Sequence, residues 1–151
     1  MFNLTEAQLD RAINAIQHHG NGSFFPNPPE FATVLANWPA IRTELANTDL
    51  DVYAGYESCR MFAPKGRLNI RQVTQLHPYD LIFYTALVLE LRDFITQGRL
   101  PLEENRVFSH RAEEPAGDLL YTPTPGYAEF KKRLRELAEE QPRFLGFTDI
   151  G

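Results

Sequence analysis

Apolar residues in the first 56 positions recur at the three- and four-residue spacing of amphipathic helices. Thr5 and Gln8 have the spacing of a capping box, which predicts that the first helix begins there and ends at the glycines that follow. A second helix is predicted ahead of Trp38. Pro39 then opens a short third helix, because proline is tolerated in a first turn but not inside a helix. Residues 1–56 are therefore expected to form a helical N-terminal extension.

The pattern then changes, and short alternating segments precede one long apolar stretch. Two strands of a β-hairpin are predicted at Glu57–Ala63 and Leu68–Gln75, joined by a turn at Pro64-Lys65-Gly66. A helix is predicted over residues 78–97, with proline at its start and glycine at its end. Its apolar residues lie on nearly every side, so we expect it to be the central, buried helix.

The last part of the chain continues this mixture of helix and strand. Short strands are predicted at 106–111 and 118–122, an amphipathic helix over 127–142, and a buried strand over 143–151. Helices and antiparallel segments are mixed without a regular βαβ alternation, which favours an α+β fold. A chain of 151 residues has the length of one domain, here 1–151.

Composition places the chain among folded globular proteins. Apolar residues make up 43% and aromatic residues 12% of the sequence, as in proteins with a packed core. Cys59 is the only cysteine, which excludes a disulfide framework and a cysteine zinc site. No apolar stretch is long enough to cross a bilayer and no signal peptide is recognisable, so we expect a soluble, cytoplasmic protein without a membrane partner.

The net charge of −5 is unevenly spread along the chain. Residues 1–59 carry a net charge of −5, residues 60–111 a net charge of +3, and residues 112–151 a net charge of −3. A local basic stretch within an acidic chain can still face phosphates. Ordinary variation of surface charge is the alternative explanation.

The basic stretch contains one face of the predicted hairpin. Strand alternation places four polar residues there, namely Lys65, Arg67, Asn69 and Arg71. The three cations among them could hold a triphosphate or a nucleic-acid backbone, because arginine binds phosphate oxygens bidentately. A solvated strand face that discourages edge-to-edge pairing is the competing interpretation.

The final predicted strand ends in a carboxylate, Asp149. A carboxylate at the end of an apolar strand is costly to bury unless it is paired or holds a metal ion. Asp149 is therefore a candidate metal ligand whose co-ligands must come from elsewhere.

These segments together resemble the N-terminal part of a bacterial reverse transcriptase, of the retron-like and phage-defence-associated branches. The resemblance extends from about Phe24 to Ile150 and rests on the order and spacing of several segments. They are Phe24-Phe25-Pro26, the run from Ala63 to Leu76, Pro78-Tyr79-Asp80, the run from Arg106 to Arg111, and Phe147-Thr148-Asp149-Ile150.

The resemblance implies a fold and a set of roles. Residues 57–142 would be the fingers and 143–151 the first strand of the palm. Lys65, Arg67 or Arg71 would approach the incoming deoxynucleotide triphosphate. Asp149 would be the first catalytic aspartate and a ligand of Mg²⁺. In such a site two Mg²⁺ ions stabilise the attacking and leaving oxygens. An RNA template and deoxynucleotides would be the partners of the complete enzyme.

The chain departs from the family after Asp149. The family continues with paired aspartates on a palm hairpin and then a thumb, and a single carboxylate cannot hold two metal ions. We therefore expect no polymerase activity from this chain alone, whether it is a truncated product, an expressed fragment or a degenerate relative. If the chain is a truncated remnant with no activity, self-association through the apolar surface left by the missing palm is expected. The alternative is a non-catalytic RNA- or protein-binding module with a reverse-transcriptase-like fold.

Overall fold

The computed structural model of this chain describes residues 1–19, 29–65, 69–98 and 126–140. These residues form a helix-rich α+β fold, as the sequence predicts. The strands predicted at 106–111, 118–122 and 143–151 lie outside the described residues. The elements are α1 (Glu6–His19), α2 (Pro29–Ala36), α3 (Trp38–Ala46), β1 (Cys59–Lys65), β2 (Asn69–Gln75), α4 (Pro78–Gln97) and α5 (Gly126–Glu140).

Helix α1 begins at the predicted capping box. The Thr5 amide donates to Oε1 of Gln8 at 2.8 Å, and the Gln8 amide donates to Oγ1 of Thr5 at 3.3 Å. The two side chains thus satisfy amides that have no partner within the helix. Leu4 and Leu9, on either side of the cap, are both buried in the core. The predicted start of this helix is confirmed.

The core lies where α1 packs against α4, with α2 and α3 beside them. Its largest fully buried side chains are Leu9, Leu45 and Ile82, which come from α1, α3 and α4. One apolar cluster therefore joins the N-terminal helices to the long helix. The buried members of the cluster are Leu4, Leu9, Ala12, Ile13, Ala15, Ile16, Phe31, Val34, Leu45, Ile82, Phe83, Ala86 and Leu89.

Helix α4 has the predicted bounds, but it is not buried on every side. Helices α1 and α2 cover the side of α4 that carries Ile82 and Leu89. Other large apolar side chains of α4 are exposed, and Phe94 retains 78% of its accessible surface. The expectation of an all-round buried helix is therefore wrong beyond its first turns. The exposed group consists of Tyr84, Leu91, Phe94 and Ile95.

Polar contacts on the surface fix α3 against α1. Asp10 of α1 accepts from Nε1 of Trp38 at 2.7 Å and from a terminal guanidinium nitrogen of Arg42 at 2.8 Å. The other terminal nitrogen of Arg42 lies 3.0 Å from the Glu6 carboxylate. The Thr43 hydroxyl also donates to Glu6, at 2.9 Å. Three residues of α3 are thus held by carboxylates of α1.

Strand β1 extends two residues further than the sequence predicts. Pro64 and Lys65 do not form the turn, since they belong to β1 and pair with Ile70 and Asn69. Proline has no N–H, so within a strand it takes a position that does not donate to the ladder. The turn predicted from proline and glycine therefore placed the end of β1 two residues too early.

No helix in the described parts of the chain is long and apolar enough to cross a membrane.

Candidate functional site

Those of the predicted phosphate-binding residues that the structure describes lie at positions on one face of the hairpin. The antiparallel register pairs Lys65 with Asn69 and Ala63 with Arg71. Directly paired positions in an antiparallel sheet belong to the same face. The positions of Lys65, Asn69 and Arg71 therefore share a face, and the Arg71 side chain is exposed. Arg67 and Asp149 lie outside the described residues.

The opposite face of the hairpin carries exposed apolar side chains. Phe62 is 68% exposed and Ile70 is 73% exposed. Phe62 pairs with Gln72, and Ile70 pairs with Pro64, so the two large side chains are diagonal neighbours on this face. Arg60 is exposed at a position of the same face. An aromatic ring, an aliphatic side chain and a cation thus lie together on the surface.

A second group of functional side chains lies where the loop after α3 meets the start of α4. Asp80, in the first turn of α4, accepts from the Tyr53 hydroxyl at 2.7 Å and from the Tyr56 amide at 3.0 Å. A carboxylate in a first turn also interacts favourably with the helix dipole. Gly55 has a φ of +72°, and a Cβ there would lie 3.4 Å from Asp80. This left-handed conformation favours glycine and lets the loop bend around the carboxylate.

The environment of Tyr53 favours its protonated form. Burial raises the pKa of the Tyr53 hydroxyl above its ordinary value of 10.0, and the hydrogen bond to the Asp80 carboxylate raises it further. Ionisation of Tyr53 would place two negative charges in direct contact and remove the donor. The hydroxyl is therefore a stable donor that holds the loop to α4.

His77 is the cap of α4 and part of an aromatic cluster. Its Nδ1 accepts from the Tyr79 amide at 3.3 Å, and its carbonyl accepts from the Leu81 amide at 2.9 Å. The imidazole stacks on the Tyr56 ring with 3.9 Å between ring centroids. The Tyr79 ring meets both of them edge-on, at 6.0 Å from Tyr56 and 5.2 Å from His77.

These aromatic rings form one wall of an open cleft of about 330 Å³, which we call the Tyr56 cleft. His77 and Tyr79 lie beside Tyr56 on this wall. Helices α2 and α3 form the other wall. The residues that α2 and α3 contribute are Glu30, Thr33, Val34 and Ile41.

Sequence reasoning missed this cluster. No role was predicted for His77, although a side-chain acceptor before Pro78 and an acid three residues later are the spacing of a capped helix start. That local signal could have identified His77 and Asp80. Tyr53 and Tyr56 had no such signal, because their contacts with α4 span more than 20 residues of sequence.

In the described ranges no group of three or more histidine, cysteine, aspartate or glutamate side chains is arranged to hold a metal ion. Comparison with known protein families, with curated proteins and with solved structures gave no match to this chain.

Proposed function

We propose that this chain is the fingers region, with the first palm strand, of an RNA-directed DNA polymerase. Its contribution is to hold the incoming deoxynucleotide triphosphate and the RNA template. The observation that carries the proposal is the register of the hairpin, in which the positions of Lys65 and Arg71 share one face. The order of hairpin and long helix matches the segments on which the resemblance rests.

Cations on a hairpin face suit a triphosphate for two reasons. Arginine offers a planar fork of donors that binds phosphate oxygens in pairs, and lysine adds a compact positive charge. The side chain of Arg71 is exposed, so it can meet a ligand without a change of fold.

The proposal assigns nucleotide contacts to this chain and the chemical step to the complete polymerase. Asp149 is the proposed first ligand of Mg²⁺, which prefers carboxylates together with substrate phosphates. A chain with one such aspartate is expected to bind nucleotide and to extend no primer.

A second candidate is a non-catalytic RNA-binding module, and the opposite face of the hairpin favours it. Phe62 and Ile70 are exposed beside Arg60. Exposed aromatic rings next to cations stack the bases of single-stranded nucleic acid without sequence preference. This module needs no deoxynucleotide and no metal ion.

One experiment separates the two candidates, because their residues lie on opposite faces of one hairpin. Binding of a fluorescent deoxynucleotide triphosphate and of a uridine octanucleotide is measured for the chain and for Arg71→Glu, Arg60→Glu and Phe62→Ala. The polymerase proposal expects Arg71→Glu to weaken triphosphate binding by roughly tenfold, with a reduced salt dependence, while Arg60→Glu serves as the matched charge control.

The opposite result favours the RNA-binding module. In that case Phe62→Ala weakens RNA binding by about 1–3 kcal/mol, and no variant changes triphosphate binding. An equal loss of triphosphate binding in Arg71→Glu and Arg60→Glu contradicts a triphosphate site on one face of the hairpin. Primer extension by this chain joined to its genomic downstream region tests the polymerase assignment itself, and a downstream region without paired aspartates removes its basis.

A further inference from the structure

The Tyr56 cleft combines aromatic surfaces with a carboxylate, Glu30, that has no partner among the described residues. Its volume of about 330 Å³ is at the lower end of ligand-binding clefts, roughly 300–1,000 Å³. Within the described residues no hydrogen bond or ion pair involves the Glu30 side chain. We propose that this cleft binds an arginine side chain of a basic protein partner. The site is separate from the hairpin and independent of the proposed function.

The aromatic wall suits a guanidinium group. Tyr56 is 52% exposed, and its ring stacks on His77. A guanidinium is planar and weakly hydrated, so it stacks on aromatic faces more readily than an ammonium does. Such a cation–π contact is favourable even at an exposed site. The aromatic wall therefore stabilises a bound cation independently of the Glu30 carboxylate.

The carboxylates near the cleft decide the charge of the ligand. Glu30 lines the opposite wall, and the charge of Glu44 acts on Tyr79, whose pKa it raises in addition to the effect of burial. The surrounding segment, residues 1–59, carries a net charge of −5. A nucleic acid would bring its phosphates into this negative field, whereas a basic peptide is attracted by it. A protein partner is therefore favoured over RNA.

The aromatic wall is already in place before any ligand binds. The Tyr56 amide is held by Asp80, and the His77 imidazole is held by the Tyr79 amide. Gly55 allows the turn that presents Tyr56. Because these groups are fixed by the fold, little side-chain freedom is lost on binding.

The test uses the full chain, labelled with ¹⁵N, and the tripeptide acetyl-Gly-Arg-Gly-amide as the probe. We expect the peptide to shift the amide resonances of Tyr56, His77 and Tyr79 with millimolar affinity. The peptide in which citrulline replaces arginine has the same shape without the charge, and it should cause no saturable shift. Glu30→Gln should weaken binding by roughly fivefold, the equivalent of about 1 kcal/mol.

Matched controls make the result decisive. Glu57→Gln removes the same charge beside Tyr56 in sequence but outside the cleft lining, and it should leave the affinity within about twofold. If Glu57→Gln weakens peptide binding as much as Glu30→Gln does, the effect comes from the overall negative charge of the chain. That result would overturn the proposed site. The proposal also fails if citrulline binds as well as arginine, if a uridine octanucleotide shifts the same amides more strongly, or if the arginine peptide shifts none of them.

Discussion

At the residue scale, the hydrogen bond from Tyr53 to Asp80 makes the free energy of unfolding depend on pH in the alkaline range. The pKa of Tyr53 is raised in the folded chain above the ordinary value of 10.0, so its stabilising contribution is complete below that pH and is lost progressively as pH rises from there through the raised pKa of the folded state. Tyr53→Phe should cost about 1 kcal/mol at neutral pH, and this difference should shrink as pH rises past 10. Urea unfolding followed by the fluorescence of Trp38, the single tryptophan, measures it. Tyr84→Phe is the control, since Tyr84 is 61% exposed, and a pH-independent difference for Tyr53→Phe would contradict the assignment.

At the scale of elements, the docking of α3 on α1 should depend on one carboxylate more than on its neighbour. Asp10 accepts from Trp38 and Arg42 in part-buried hydrogen bonds, whereas Glu6 accepts from the Thr43 hydroxyl in an exposed hydrogen bond and pairs with Arg42. Asp10→Ala should therefore lower the free energy of unfolding by about 1–2 kcal/mol, because two part-buried donors lose their acceptor, whereas water can replace Glu6. Glu6→Ala should cost less than about 1 kcal/mol. Chemical denaturation of both variants measures the difference, and an equal effect would show that the two carboxylates are interchangeable.

The same elements show what could be predicted from sequence. The start of α1 was predicted because Thr5 and Gln8 determine it locally, through two hydrogen bonds within one turn. The end of β1 was misplaced because proline and glycine indicate a turn without fixing which residues still pair across the strands. The Tyr56 cleft was not predicted at all. Its rings meet through contacts between a loop and a distant helix, which only the packed core brings together.

At the scale of the whole molecule, the exposed side of α4 should make the chain associate with itself. Tyr84, Leu91 and Ile95 recur at helical spacing and Phe94 adjoins them, and all four side chains are at least half exposed. Soluble monomers rarely expose a contiguous apolar surface of this kind. We expect sedimentation velocity to show association that increases with concentration, and Phe94→Lys to reduce it because a buried ammonium is costly. Phe62→Lys on the hairpin is the matched control and should leave association unchanged. If Phe62→Lys alone abolishes association, the contact lies on the hairpin. If the chain is monomeric at every concentration, the apolar side of α4 does not drive assembly.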